Sequence, residues 1–233
     1  MSAVVSIPHR FNGPLDSGQG GYSAGVVAGF VDGPAEVSLR RPVPLERELE
    51  VTRDGDGSVR MLDGEALVAD GCRVPALEID VPDSVTPEAA REATTRYPGD
   101  ADGLFSRCFV CGRARDDGFH VFAGEVPGRR VMASPWTPFD WTADERGNVR
   151  PEFVWAALDC PATFSLTLHD DAPLAFLARF TVRAHAPVPA GDEHVVIGWP
   201  LDVDGRKYHA GGAIFAADGT LLATARALLI APR

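Results

Sequence analysis

One stretch, Arg150 to Phe164, constrains the fold more than any other part of the sequence, because it predicts a helix that is apolar on almost every side. Pro151 and Glu152 suit the first turn of that helix, where a missing N–H costs nothing and a negative charge faces the positive end of the helix dipole. Asp159 lies in the middle of the helix. A carboxylate in such surroundings needs a partner or a function, because desolvating a charge without compensation is costly.

The composition excludes several classes of protein. The 233 residues are 45% hydrophobic and 24% charged, which is typical of one large globular domain or two small ones. The net charge of −11 opposes binding to nucleic acid or to an anionic membrane surface. We find no apolar run long enough to cross a membrane and no signal-peptide pattern, so we expect a cytoplasmic protein.

Basic residues are few and partly paired in sequence. A ligand that carries phosphate would have to be bound by such local pairs, although solvated strand ends are the simpler explanation for any single pair. The pairs are Arg40-Arg41, Arg129-Arg130 and Arg206-Lys207.

The four cysteines are too few for a disulfide framework in a chain of this length. Cys108 and Cys111 form a C-x-x-C motif, but a zinc site of this kind normally has a second pair, which the sequence lacks. We interpret the motif as a structural turn, with metal binding as the alternative, and Cys160 as a buried apolar residue. We therefore predict no metal and no cofactor.

Both ends of the chain predict a helix followed by an antiparallel meander. The first helix is expected over 22–30, and Gly20 and Gly21 at its start allow either close approach of a ligand oxygen or close packing on a neighbouring backbone. Residues 81–104 are rich in Pro, Thr, Asp and Glu and indicate a linker with one helix over 86–95. Strands are expected at 36–39, 49–52, 58–62 and 66–74 before the linker, and at 119–122, 130–134, 174–184, 193–199, 206–215 and 221–230 after it.

The two meanders carry the same turn motifs in the same order, which indicates an internal duplication. We predict an N-terminal unit over 1–80, a linker over 81–104 and a C-terminal unit over 105–233. The matching motifs are Pro42-Val43-Pro44 with Pro187-Val188-Pro189, Asp56-Gly57 with Asp204-Gly205, and Asp63-Gly64 with Asp218-Gly219.

This pattern resembles the double-hotdog acyl-CoA thioesterases. The resemblance is strongest over 150–164 and 180–230, and Gln19-Gly20-Gly21 is similar to the His-Gly-Gly entry of the family's helix, with Gln in place of His. It implies an α+β fold, a tandem hotdog in which antiparallel sheets wrap around central long helices. Its open sheet edges lead us to expect a homo-oligomer.

In that family a helix carboxylate lies nine residues after the His position. The same count leads from Arg150 to Asp159, but from Gln19 it leads to Ala28. The resemblance therefore implies that only the second half keeps a catalytic carboxylate. Pro161, two residues beyond Asp159, removes a helix hydrogen bond and allows a kink near the site.

The glycines show the opposite asymmetry. Gly20 and Gly21 are in the first half, whereas Pro151 and Glu152 stand at the corresponding positions of the second half. We therefore expect one composite site, in which Asp159 acts on a thioester as general base or nucleophile. The amides of the two glycines would stabilise the oxyanion.

The resemblance also suggests further site residues. Thr181 aligns with a hydroxyl residue that orients water, although a β-branched residue is equally at home in a strand. The expected substrate is an acyl-CoA or an acyl-carrier thioester. The residues expected to bind it are Gln19, Tyr22, Trp155 and Arg206.

Three alternatives remain open at this stage. Asp159 is also compatible with a structural buried pair. Hotdog proteins also include dehydratases and hydratases that use a histidine with a carboxylate partner, so the fold does not decide the function. The third alternative is a non-catalytic module that binds acyl thioesters.

Overall fold

An antiparallel sheet and the helices packed on it account for most of the chain. The computed structural model describes residues 2–99, 102–169 and 173–232. The strands of the first half are β1 (Ser2–Val5), β2 (Ala35–Leu39), β3 (Leu49–Arg53), β4 (Val59–Asp63) and β5 (Ala66–Arg73). Those of the second half are β6 (Gly124–Glu125), β7 (Met132–Trp136), β8 (Phe176–Ala184), β9 (His194–Asp204), β10 (Lys207–Ala216) and β11 (Leu221–Ile230). The α-helices in these ranges are α1 (Gly20–Ala28), α2 (Pro87–Ala93) and α3 (Pro151–Phe164).

All eleven strands belong to one sheet in the order β1-β3-β4-β5-β2-β8-β11-β10-β9-β7-β6. The two halves meet where β2 pairs antiparallel with β8, with Val37 opposite Phe180. Outward from this junction, the first strand in each half is the one that follows α1 or α3 in the chain, namely β2 or β8. Three strands in reverse chain order come next, β5-β4-β3 or β11-β10-β9, and then a strand that precedes the helix, β1 or β7. The order of these five strands is therefore the same in both halves when read from the junction, and β6 adds a sixth strand at the edge of the second half.

The approach to the helix is also the same in both halves. In each half a 3-10 turn, an isolated β-bridge and an extended cap residue precede the helix. Equivalent features lie 131 residues apart: His9–Phe11 and Asp140–Thr142, the bridges Asn12↔Gly18 and Ala143↔Val149, and the caps Gln19 and Arg150.

The helices cover both faces of the sheet. α1 and α3 pack on each other and share a core with inward residues such as Val196 of β9. The neighbouring residues Val195 and Ile197 point to the opposite face, where they pack with Ala90 of α2. Much of the segment expected to be a linker therefore covers the outer face of the second half. No helix in the described part of the chain is long and apolar enough to span a membrane.

Most predicted elements are observed, but the strand expected over 119–122 was wrong. Its backbone N–H groups bond to the loop that contains the C-x-x-C motif, from Phe119 to the carbonyl of Phe109 at 2.8 Å and from Val121 to that of Val110 at 2.9 Å. His120 between them has a φ of 55°, which is incompatible with a strand. Strand β1 was missed, because four residues carry too little periodicity to predict a strand.

Helix α1 covers Gly20–Ala28 instead of the predicted 22–30, and α2 covers Pro87–Ala93, shorter than the predicted 86–95. Helix α1 begins at Gly20 because the side chain of Gln19 caps it, accepting a hydrogen bond from the backbone N–H of Tyr22 at 2.6 Å. Helix α3 has the predicted range and continues through Pro161 to Phe164. The two glycines therefore form the first turn of α1.

Candidate active site

Asp159 lies where α3 crosses the N-terminus of α1, and only 6% of its surface is exposed. The crossing is close because glycines of α1 face the backbone of α3. A Cβ atom on Gly21 would lie 2.4 Å from the carbonyl oxygen of Trp155, and one on Gly25 would lie 2.6 Å from Cα of Glu152. Both helices therefore approach at a distance that only glycine permits.

Three donors hold the Asp159 carboxylate. The Gln19 side-chain amide and the backbone N–H of Gly21 both donate to Oδ2, at 2.6 and 2.8 Å. The hydroxyl of Thr163, one turn along α3, donates to Oδ1 at 3.2 Å. Because Gln19 also caps α1, the same side chain fixes the start of one helix and the carboxylate of the other.

Burial dominates the electrostatics of this carboxylate. It raises the pKa of Asp159 to about 7, although the hydrogen bonds from Gly21, Thr163 and Gln19 favour the charged form and oppose the increase. Among the described residues no basic side chain forms an ion pair with Asp159. The salt-bridged structural pair considered from the sequence is therefore not observed in this part of the chain.

A cavity of about 540 Å³ opens beside the carboxylate. Asp159, Gln19 and Gly20 line it next to the crossing of the helices, while most of its wall is apolar. A cavity of this size with a few polar groups at one place is the usual form of a small-molecule site. The apolar wall includes Val43, Phe105, Phe164, Phe176, Leu177 and Ile230.

Comparison with solved structures identifies this architecture. The TesB protein of Mycobacterium avium subspecies paratuberculosis has 15% sequence identity and a TM-score of 0.62, over 100% of this chain and 93% of that one. A candidate thioesterase from Novosphingobium aromaticivorans has 13% identity and a TM-score of 0.65, over 100% and 96%. A protein of unknown function with a hot dog fold from Alicyclobacillus acidocaldarius has 13% identity and a TM-score of 0.54, over 100% and 94%. The chain has the hotdog fold. No protein-family profile and no curated protein sequence matches it.

The two glycines expected to stabilise an oxyanion have different surroundings in this hotdog chain. The N–H of Gly21 already binds Asp159. Gly20 lines the cavity, and a Cβ atom there would lie 3.1 Å from Oδ2 of Asp159. No hydrogen-bond acceptor for the N–H of Gly20 is found among the described residues. Gly20 therefore offers the free amide, whereas Gly21 positions the carboxylate.

Thr181 is not where the resemblance placed it. Its hydroxyl donates to Oε2 of Glu36 at 3.3 Å across the β2–β8 junction. It is absent from the described lining of the cavity. Thr163 supplies the hydroxyl next to Asp159, and the i, i+4 spacing of these two residues on one helix was the sequence signal that could have found it.

Of the four residues expected to bind substrate, Gln19 alone is in the described cavity lining. Tyr22 stacks on Phe11 with ring centroids 4.3 Å apart, and burial raises its pKa to about 12. Trp155 packs edge-on against Phe180. The Arg206 guanidinium donates to the carbonyl of Ala231 at 2.7 Å. The structure gives these three residues packing or strand-end contacts instead.

Among the paired basic residues, Arg40 and Arg41 are brought to the cavity. Arg40 forms an ion pair with Asp70, while Arg41 is exposed and forms no ion pair within the described residues. Arg129, by contrast, donates to the backbone carbonyl of Ser84 at 3.1 Å. The sequence identified the pairs but could not distinguish among them, because the distinction depends on which strand ends meet the cavity.

Three buried cysteines lie next to the carboxylate. The sulfur atoms of Cys108, Cys111 and Cys160 all lie within 4.8 Å of one another. Hydrogen bonds from the other two thiols and from backbone N–H groups lower the pKa of Cys108 well below its usual value, whereas the pKa values of Cys111 and Cys160 are raised. Cys160 was predicted only as a buried apolar residue, because its separation from the C-x-x-C motif matches no metal-binding spacing.

The helix crossing generates a stability prediction. Replacing Gly21 with Ala places a Cβ atom against the α3 backbone, so the helices must separate, and we expect a loss of about 1–3 kcal/mol in the free energy of unfolding. The matched control is Gly29→Ala at the end of α1, where the backbone is right-handed helical and a Cβ atom would lie 3.4 Å from the nearest atom. That variant should be unchanged or slightly stabilised. Urea denaturation measures both, and equal stabilities would contradict the packing role of Gly21.

Proposed function

We propose that this chain is a thioesterase that hydrolyses an acyl thioester in the cavity beside Asp159. One observation carries the proposal: a buried carboxylate with three hydrogen-bond donors opens onto a mostly apolar cavity and has no cationic partner among the described residues. The similarity to the TesB protein and to a candidate thioesterase supports the reaction class by analogy of fold.

The two carboxylate oxygens of Asp159 differ in their hydrogen bonds, which supports different roles for them. Two donors hold Oδ2, whereas Oδ1 has a single, longer hydrogen bond and is better placed to accept a proton. As general base, Asp159 takes a proton from water while the water oxygen bonds to the thioester carbon. Collapse of the tetrahedral intermediate breaks the C–S bond. Asp159 returns its proton to the departing thiolate, so the products are a carboxylic acid and a thiol. Direct attack by Asp159, followed by hydrolysis of the anhydride, is the alternative that the sequence also allowed.

The oxyanion would be stabilised by the N–H of Gly20. This group lies at the positive end of α1, and Gly20 lines the cavity, so we expect the N–H to bind a developing negative charge without rearrangement. Asp159 and Gly20 come from different halves of the chain. The site is therefore composite, with the base from α3 and the oxyanion donor from α1.

The substrate follows from the walls of the cavity. Its aromatic and aliphatic side chains suit an acyl chain, and Arg40 and Arg41, which line the same cavity, would bind the phosphates of a carrier. Coenzyme A and an acyl carrier protein both attach the acyl group through phosphopantetheine. We therefore propose an acyl-CoA or acyl-carrier thioester as the substrate.

The alternatives have weaker support. A hydratase or dehydratase would need a histidine near Asp159, and none lines the cavity among the described residues. His185 bonds to the hydroxyl of Thr224 at 3.0 Å, at a separate surface depression. A non-catalytic binding module remains the outcome to test against.

We also propose that the two halves are copies of one unit, over 1–80 and 105–233. The shared strand order and the constant offset of 131 residues support this. The same offset leads from Asp159 to Ala28 in α1. At the position equivalent to Gly20 the second half has Pro151, which has no N–H. The second site that the duplication would create, called here the reciprocal site, therefore lacks both the base and the oxyanion donor. Homo-oligomer formation stays a prediction from the sequence, to be measured by light scattering.

The first functional prediction concerns the base. Asp159→Asn keeps the volume and removes the proton acceptor, so we expect turnover of an acyl-CoA panel, followed with a thiol reagent, to fall about 100-fold or more. Asp202→Asn, an exposed position on β9, is the matched control and should leave turnover unchanged. Unchanged turnover in a folded Asp159→Asn variant would show that the carboxylate is structural.

The second concerns the carrier. Arg41→Ala removes a charged donor from the cavity rim and should raise KM for an acyl-CoA about tenfold, the effect of losing about 1.4 kcal/mol of binding. The same acyl group on pantetheine, which has no phosphate, should show no change in KM. Arg130→Ala removes an exposed arginine away from the cavity and serves as control. Equal increases for both substrates would rule out a phosphate contact at Arg41.

The third concerns the number of sites. Because the reciprocal site lacks a carboxylate and a free amide, a non-hydrolysable acyl-CoA analogue should bind with one equivalent per chain in isothermal titration calorimetry. Gly20→Val would fill the cavity next to Asp159 and should abolish that binding. Two equivalents per chain would mean that the halves act as separate sites.

A further inference from the structure

Cys108, Cys111 and Cys160 form a cluster that the proposed hydrolysis does not use. Two of them come from the loop after α2, and the third comes from α3, next to Asp159. All three thiols are buried, and the sulfur atoms of Cys108 and Cys160 are 3.9 Å apart. Cys72, on β5, is exposed and lies outside the cluster.

The separations of the sulfur atoms match those of ligands on a common metal ion. Tetrahedral zinc with Zn–S bonds of about 2.3 Å holds its sulfur ligands about 3.8 Å apart. The Cys108–Cys160 separation of 3.9 Å is close to that value, and every pair in the cluster lies within 4.8 Å. A disulfide would instead require two sulfurs to approach to about 2.05 Å and would leave the third thiol unused.

The loop holds its two cysteines in a fixed turn. The N–H of Gly112 donates to the carbonyl of Cys108 at 2.8 Å, and a Cβ atom on Gly112 would lie only 2.6 Å from the backbone nitrogen of Cys108. The hydroxyl of Tyr97 donates to the carbonyl of Cys111 at 2.8 Å and fixes the other end of the turn. Contacts of this kind orient metal ligands before any metal binds.

The geometry points to a zinc site formed by Cys108, Cys111 and Cys160, with its fourth coordination position facing the cavity. Three thiolates select zinc over the hard cations magnesium and calcium, which prefer oxygen ligands. All three cysteines line the cavity, so water or a solute thiol can occupy the fourth position. Binding releases the thiol protons to solvent. The ion would join the loop to α3 beside the proposed catalytic carboxylate.

The first experiment measures zinc directly on the full-length protein, purified under reducing conditions. We expect about one zinc per chain by elemental analysis. After removal of zinc with a chelator, one equivalent of Co²⁺ should produce thiolate-to-cobalt charge-transfer absorption. Zinc at about 100 times its dissociation constant should raise Tm by roughly 5–10 °C, since a ligand that binds only the folded state stabilises it.

Matched cysteine variants assign the ligands. Cys111→Ser should weaken Zn²⁺ binding at least tenfold and abolish the charge-transfer band, whereas Cys72→Ser should retain both. If Cys111→Ser does not fold, alkylation of the native wild-type protein with and without zinc decides the question: the three buried thiols should react more slowly with zinc bound than after its removal, whereas Cys72 should react equally fast in both states. Absence of the charge-transfer band in the wild type, or a Cys108–Cys160 disulfide in reduced preparations by mass spectrometry, would overturn the zinc site.

This inference is independent of the proposed thioesterase reaction. Metal content, the cobalt spectrum and thiol protection contain no activity readout. A protein that binds zinc but hydrolyses no thioester would refute the proposed function alone, and one that hydrolyses thioesters without binding zinc would refute the zinc site alone.

Discussion

The close contact between α1 and α3 is the interaction on which the rest of the site depends. Gly21 and Gly25 let the backbones approach closely, and this contact brings the N-terminus of α1 onto the side chain of Asp159. The N–H of Gly21 can then satisfy a carboxylate that the apolar helix would otherwise leave uncompensated. Packing and charge compensation are therefore achieved by the same residue.

That arrangement also explains why the carboxylate is suited to proton transfer. Burial alone would make Asp159 neutral, and its hydrogen bonds alone would keep it charged at low pH. The balance between burial and hydrogen bonding gives a pKa of about 7, with burial as the stronger effect. Gln19 contributes twice, because it caps α1 and donates to the carboxylate, so the position of the helix and the electrostatics of the site are linked.

The two halves of the sheet have the same strand order but different roles. The first half contributes a helix start with a free amide at Gly20, and the second contributes the carboxylate. The connection between them also has structure of its own: α2 covers the outer face of the second half, and the loop that follows places Cys108 and Cys111 against Cys160. The region expected to be a linker, over 81–104, therefore supplies part of the core, and Leu104 at its end lines the cavity.

The amino-acid pattern was enough to predict the periodic and local features: the range of α3, the hairpins at Asp-Gly turns, the repeated turn motifs and a carboxylate in an apolar helix. These depend on residues close together in the chain, so spacing and turn chemistry reveal them. The groups that contact Asp159 could not be predicted in this way. Thr163 replaces Thr181, Gly20 and Gly21 take different roles, and a third cysteine joins the C-x-x-C motif, because each of these contacts depends on how α1, α3 and a distant loop pack together. No local pattern records that packing.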